Sequence, residues 1–283
     1  MNIRNILEII EPKVVIEGAG VRLRRSIFPH RTNLFDPFLL FDHFIFQDPI
    51  EGPPAGFPYH PHRGIETVTY MLEGSTYHRD SLGNTGTIGP GDIQWMTSGR
   101  GILHEEMPRK DANGRVDGFQ LWVNLPKSQK MIKPQYQEVR SQFIPQINSS
   151  GTTIKLIAGT IEDAQGPIQG SSARPLYLDL TMKEHSSFTN NMPNDDTTFA
   201  YIFEGSCSFS KNGELIQETK LVHLEKGELV TIYSDTGARL ILASGAPFGE
   251  PIVPYGPFVM NTKEEIQQAL LDLRQGTFVE QQI

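Results

Sequence analysis

His60 and His62 stand two residues apart in GFPYHPHRGIETVTYMLEG, and His104 and Glu106 stand two apart in TSGRGILHEEMP. In an extended strand that spacing puts both side chains of a pair on one face, so each pair aims its donor atoms the same way while Glu105 points away. Pro61 has no N–H to give a ladder, which places the first pair at the start or the edge of a strand. Two antiparallel strands that each offer two inward ligands can converge on one ion, presenting three neutral imidazole nitrogens and one carboxylate. A single histidine at a strand start is ordinarily a surface residue, and one such pair is weak; two matched pairs point to metal ligation. Glu66, four residues beyond His62, is a rival to Glu106, because the parity of an unbroken strand also lets it face inward, and spacing leaves that choice open.

The rest of the sequence narrows the chemistry. Cys207 is the only cysteine, so the chain can form no internal disulfide and no thiolate zinc or iron–sulfur site. His30, His43, His78, His185 and His223 have no His, Cys or paired carboxylate at ligand spacing and are expected to be structural or on the surface. Three histidines and one carboxylate leave two adjacent positions open on a six-coordinate ion, room for oxygen and a chelating substrate, whereas a structural zinc closes a tetrahedron.

The elements that must position these residues are mostly strands. Helical periodicity is scarce, and short runs rich in β-branched and aromatic residues recur between Gly, Pro, Asn and Asp: VRLRRSIF, IETVTYMLEG, DIQWMTSG, TTIKLIAGT, ARPLYLDLTM, TTFAYIFEGS, ELVTIYS and ARLILASG. GFQLWVNL is apolar on both alternating faces, as in a strand buried on both sides. IETVTYMLEGSTY can be laid over TTFAYIFEGSCSF, with GPGDIQWM and EKGELVTIY following, which makes two copies of one β unit. Composition puts the linker within Pro126 to Ser172, rich in Pro, Gly and Ser, giving a metal-binding first barrel over 1–140 and a second over 141–283. Counting back from Gly205 as from Gly74, Asn191 and Pro193 occupy the places of His60 and His62, and no His-x-Glu follows Gly227, so the second barrel is expected to bind no metal. A helix closes the chain: Thr262 and Glu265 form a capping box, Ile266, Leu270 and Leu273 make an apolar stripe, and Gly276 is a stop.

At 283 residues, 38% apolar and 20% charged, the chain reads as a globular protein of two domains. No window is long and apolar enough for a membrane span, and MNIRNILEIIEP lacks the pattern of a secretory signal. A cytoplasmic protein is expected, nuclear as well in a eukaryotic cell, acting as a monomer. A formal charge of -8 opposes direct nucleic-acid binding. Arg22, Arg24, Arg25 and Arg31 form one local basic run, read first as a charged strand edge.

The order Gly56, His60, His62, Glu66, Gly74 and then Gly91, Thr97, Gly99, His104 resembles the two motifs of the cupin superfamily. The strings HPHRGIETVTY, PGDIQWMTSGRGILHEEMP, FQLWVNLP and GPFVMNT look closely like the pirin family, over nearly the whole chain. The resemblance implies a bicupin: two tandem antiparallel barrels of the double-stranded β-helix type with a C-terminal helix. It also implies a single Fe2+ in the first barrel, with Mn, Ni, Co, Cu or Zn as other divalent occupants, held by His60, His62, His104 and Glu106, leaving Glu66 outside the ligand set. The implied activity is that of a quercetin 2,3-dioxygenase, which opens a flavonol-like substrate with O2 and releases carbon monoxide, Glu106 taking the proton of the substrate hydroxyl. The other function implied by the family is a redox-sensing iron protein that works as a transcriptional co-regulator or enzyme partner through protein contacts, with Arg24 and Arg25 on a basic surface near the site.

Overall fold

The structure, a computed structural model, describes residues 2–28, 31–47 and 55–279. It is built almost wholly of antiparallel strands, in two compact units. One unit comprises Lys13–Ser141 with Phe248–Ile283, the other Met1–Pro12 with Gln142–Pro247. No helix among the described residues is long and apolar enough to cross a membrane.

The main sheet of the first unit runs Gln135–Val139, Ile93–Thr97, Ile65–Glu73, Arg115–Asn124, Phe38–Gln47, Val21–Ile27, Lys13–Glu17. The main sheet of the second repeats this order: Ile6–Ile10, Lys220–Leu224, Thr197–Cys207, Ala238–Gly245, Leu176–Met182, Thr152–Ala158, Gln146–Ser149. The doubly apolar run GFQLWVNL lies in the central strand Arg115–Asn124, ladder-paired on both sides. IETVTYMLEG and TTFAYIFEG hold matching places in the two sheets, as the repeat implies. The second half of the repeat is off by one strand. DIQWM pairs with the IETVTYMLE strand, but the strand paired with TTFAYIFEG is Lys220–Leu224, while Leu229–Ser234 pairs with Ser186–Asn191. The small hairpin strand Ile216–Gln217 intervenes there, and similarity of strand pattern cannot reveal which strand is the ladder partner.

The expected division at 140 needs correction at both ends. The strand Ile6–Ile10 pairs with Lys220–Leu224 in the second unit, and the closing helix packs in the first. The stretch 126–172 is no bare linker, since it holds strands of both units, Gln135–Val139 in one and Gln146–Ser149 and Thr152–Ala158 in the other. Strand propensity marks a segment as a strand, but only long-range pairing decides which sheet completes it.

The closing helix, Lys263–Gln275, has the capping box of Thr262 and Glu265, and Gly276 ends it in the left-handed conformation. Ile266 and Ala269 are its buried residues, with Leu270 partly buried against the same cluster, whereas Leu273 at the end of the expected stripe is exposed. Asp272 pairs with Arg63 Nη1 at 2.6 Å, and Phe278 lies under the Arg63 guanidinium. The helix is thus fastened to the residue that follows His62.

The interiors of the two units differ in kind. The second is filled by an apolar cluster that includes Leu156, Leu180, Ala200, Val222, Leu240 and Leu242. The first carries polar side chains across its sheet and encloses a cavity of about 560 Å³.

Candidate metal centre

The strands Phe57–His62 and Ile102–Arg109 pair antiparallel, with His104 opposite His60 and Ile102 opposite His62. Period-two alternation then turns His60, His62 and His104 into one space, and one nitrogen of each lies within 4.8 Å of the others. The register shifts between His104 and Glu106 against the first strand, so Glu106 faces Phe57 there, while the ladder to Ser75–Asp80 stays regular. Glu106 lines the same cavity as His60 and His62 but stands outside the three-histidine group; its Oε1 accepts from Thr69 Oγ1 at 2.7 Å. Glu105 is turned away, as its parity requires, and pairs with Arg79.

The donor set fits a divalent cation. His60 Nδ1 lies 2.8 Å from the Pro58 carbonyl and His62 Nδ1 3.2 Å from that of Pro257, so both rings carry their proton on Nδ1 and offer a bare Nε2. Those two Nε2 atoms are 3.1 Å apart, close enough to share one ion. His104 is wholly buried, and neither of its nitrogens has a protein partner among the described residues. A buried polar group so placed is costly unless something binds it. Burial, with His60 beside it, pushes His62 down to about 3, and burial among neighbouring histidines holds His104 well below the usual range. Both are therefore neutral at physiological pH, the state in which imidazole ligates.

Surrounding contacts fix these strands. Gly64, just past His62, has φ +80°, and a Cβ there would come within 2.2 Å of the Val259 carbonyl. Lys130 Nζ donates to the carbonyls of Gly64 and Val259, each at 2.8 Å, and to Asn124 Oδ1 at 2.5 Å. Burial pushes this lysine down to about 7, against which the three oxygens supply one acceptor for each ammonium hydrogen.

Glu66 is buried, and its carboxylate accepts from Thr97 Oγ1 at 3.0 Å. Within the strand Ile65–Glu73 its parity is opposite to that of Thr69, whose hydroxyl reaches Glu106, so alternation sends the two side chains to opposite faces of the sheet. His78, expected to be structural or on the surface, is wholly buried beside His104 with ring centroids 5.4 Å apart, and its Nε2 lies 3.3 Å from Asp80 Oδ2. The i, i+2 spacing of His78 and Asp80 carried that signal. His43 is buried and pairs with Asp117, His223 is buried, His185 is exposed, and His30 lies outside the described residues. The basic run is not a continuous surface patch, because Arg25 is largely buried against Asp42 and lines the cavity.

Thr69 has one hydroxyl proton and three acceptors within reach: Glu106 at 2.7 Å, Gln120 Oε1 at 2.9 Å and Gln94 Oε1 at 3.4 Å. The carboxylate is the strongest acceptor and takes the proton. With that proton committed to Glu106, Gln120 Oε1 and Gln94 Oε1 are neighbours of the hydroxyl rather than its acceptors. Nothing in the residue types alone marks Thr69 or Gln120 as part of a site.

Two units of one sheet order, one with a histidine-lined cavity and the other with an apolar core, define a protein of two cupin domains. The chain belongs to the pirin family: residues 20–123 match the Pirin model and residues 177–279 the model of the Pirin C-terminal cupin domain. A pirin-like protein of Caulobacter vibrioides is 42% identical over 98% of this chain and 100% of its own length. A Pseudomonas aeruginosa protein provisionally named a quercetin 2,3-dioxygenase is also 42% identical, over 96% of this chain and 97% of its own length. The crystal structure of a quercetin 2,3-dioxygenase from Acinetobacter baumannii superposes with a TM-score of 0.89 at 31% identity, covering 98% of each chain.

Proposed function

We propose that this chain is a metal-dependent dioxygenase of the quercetin 2,3-dioxygenase type, acting on a planar hydroxylated aromatic such as a flavonol. The observation that carries this reading is the cluster of His60, His62 and His104 at a cavity of about 560 Å³ that His60, His62 and Glu106 line together with Phe44, Phe57 and Trp122. That volume lies within the range of small-molecule sites, and flat aromatic walls suit a flat ligand.

In this proposal the three histidines hold one divalent ion, Fe2+ first, and Glu106 completes the set. When bound, such an ion would supply a Lewis-acidic, redox-capable centre for the reaction of oxygen with the substrate. The protein's own part is positioning and proton transfer. Glu106, 6% exposed, takes the proton of the substrate's enolic hydroxyl. Thr69 fixes the orientation of that carboxylate through the 2.7 Å hydrogen bond. Trp122, edge-on to His62 with centroids 5.2 Å apart, packs the ligand ring against the site, and the apolar walls limit water. The second barrel is proposed to hold no metal, since apolar side chains fill its interior.

The test is metal analysis of protein purified without oxygen, followed by oxygen uptake and carbon monoxide release with quercetin. Turnover that scales with metal content supports the reading. Protein fully loaded with iron that consumes no oxygen with any flavonol refutes it.

A further inference from the structure

A row of polar residues crosses the inner face of the first unit's sheet, away from the histidines. Gln94, Thr69, Gln120, Asp42 and Arg25 are successive register partners on five neighbouring strands. Next to its inner end Thr69 holds Glu106. At its outer end Arg25 donates from Nε and Nη2 to the two oxygens of Asp42, each at 2.8 Å, and from Nη1 to Glu17 Oε1, also at 2.8 Å. Arg25, Asp42 and Glu17 line the cavity together with His60, His62 and Glu106. Thr69 and Arg25 are three strand spacings apart, on the order of 14 Å. The reach of the arginine side chain takes up part of that span and leaves room for a planar molecule of about three rings.

The two ends differ in depth and in charge. His62 and His104 are buried, and so is Asp42, whereas the Glu17 side chain is 44% exposed, so Glu17 forms the open side of the trio. One guanidinium faces two carboxylates, and the trio carries a net negative charge. Asp42 already satisfies the fork of Arg25; a purely structural pair needs no second carboxylate at the cavity. Of the five guanidinium hydrogens three are used, and Glu17 Oε2 takes no donor among the described residues. Spare N–H groups beside a spare carboxylate oxygen suit a group that both accepts and donates. Vicinal hydroxyls do this. A carboxylate, sulfate or phosphate meets two like charges there and is disfavoured.

Resting on the dioxygenase reading of this cavity, we propose that Arg25 and Glu17 are specificity-determining residues that bind a vicinal dihydroxyphenyl ring at the end of the substrate remote from the histidines. One ring hydroxyl accepts from Arg25, and its neighbour donates to Glu17. Asp42 holds the guanidinium in place.

The experiment compares flavonols that differ only in that ring: quercetin with two adjacent hydroxyls, kaempferol with one and galangin with none. Binding to the metal-loaded protein is followed under nitrogen by tryptophan fluorescence, which Trp122 at the cavity wall supplies. The wild type is expected to bind quercetin about tenfold more tightly than galangin, the worth of roughly one charge-assisted hydrogen bond, with kaempferol between. Glu17→Gln, at a half-exposed position that folding tolerates, should bring the quercetin-to-galangin ratio to within about twofold to threefold. Arg25→Lys combined with Asp42→Asn should do the same. Equal affinities for the three flavonols in the wild type overturn the assignment of Arg25 and Glu17 while leaving the cavity a flavonol site, and so does a ratio that survives both variants. Failure to bind any of the three overturns the dioxygenase reading itself and this assignment with it.

Discussion

Thr69→Val is the sharpest probe of how the site is held. Thr69 is 1% exposed, and its hydroxyl donates to Glu106 Oε1 at 2.7 Å. Valine has nearly the same shape, so the substitution opens no cavity; it removes the donor and leaves a carboxylate oxygen in a residue only 6% exposed. A hydrogen bond to a charged acceptor contributes about 1.5–3 kcal/mol, and an unsatisfied buried group costs a similar amount. At about 1.4 kcal/mol per decade, that is roughly 10- to 150-fold. If Glu106 must be aimed at the substrate hydroxyl, kcat/KM for quercetin should fall in that range at matched metal content, with stability lowered by no more than about 3 kcal/mol. Thr69→Ser keeps the hydroxyl and should restore most of the rate. Oxygen uptake at saturating metal, with metal content measured on the same samples, reads the effect. Thr69→Val turning over within twofold of the wild type would falsify the claim that this hydroxyl orients the base.

Elemental analysis should give one metal per chain, largely lost in His62→Ala and in His104→Ala but kept in Glu66→Ala, whose carboxylate is bound to Thr97; two equivalents in the wild type would defeat the assignment of metal to one barrel. In metal-free protein, His62 titrates near 3 when folded against 6.5 in its unperturbed state. The unfolded chain therefore binds the extra proton between those values, and stability should decline as pH falls from 6.5 toward 3, by at most about 5 kcal/mol from this residue, as read by urea denaturation. A flat profile across that window would contradict the buried, neutral state of the ring. Gly64→Ala should lower stability by at least about 1–3 kcal/mol, because the left-handed backbone and the 2.2 Å approach to the Val259 carbonyl leave no place for a methyl group; an unchanged thermal midpoint would show that the loop after His62 can shift freely.

What the sequence determined by itself was local and periodic. Spacing of two in His60/His62 and in His104/Glu106 placed each pair on one strand face, and strand alternation is a property of the backbone alone. The capping box at Thr262 and the stop at Gly276 were readable because a helix end is satisfied by residues within one turn. What needed the tertiary structure was everything fixed by pairing between distant strands. The first strand, Ile6–Ile10, joins the barrel made largely by the second half of the chain, and the closing helix packs with the first, because a strand edge or an apolar stripe can be covered by any element that reaches it. Glu66 and Glu106 were equal candidates by spacing; the strand register, with its shift beside Glu106, sends one carboxylate toward Thr97 and brings the other to the cavity. Arg25 read as part of a basic surface run until Asp42, its register partner 17 residues on, turned it inward. Ladder register sets which side chains share a wall, and register is decided by the whole sheet rather than by the segment that carries the residue.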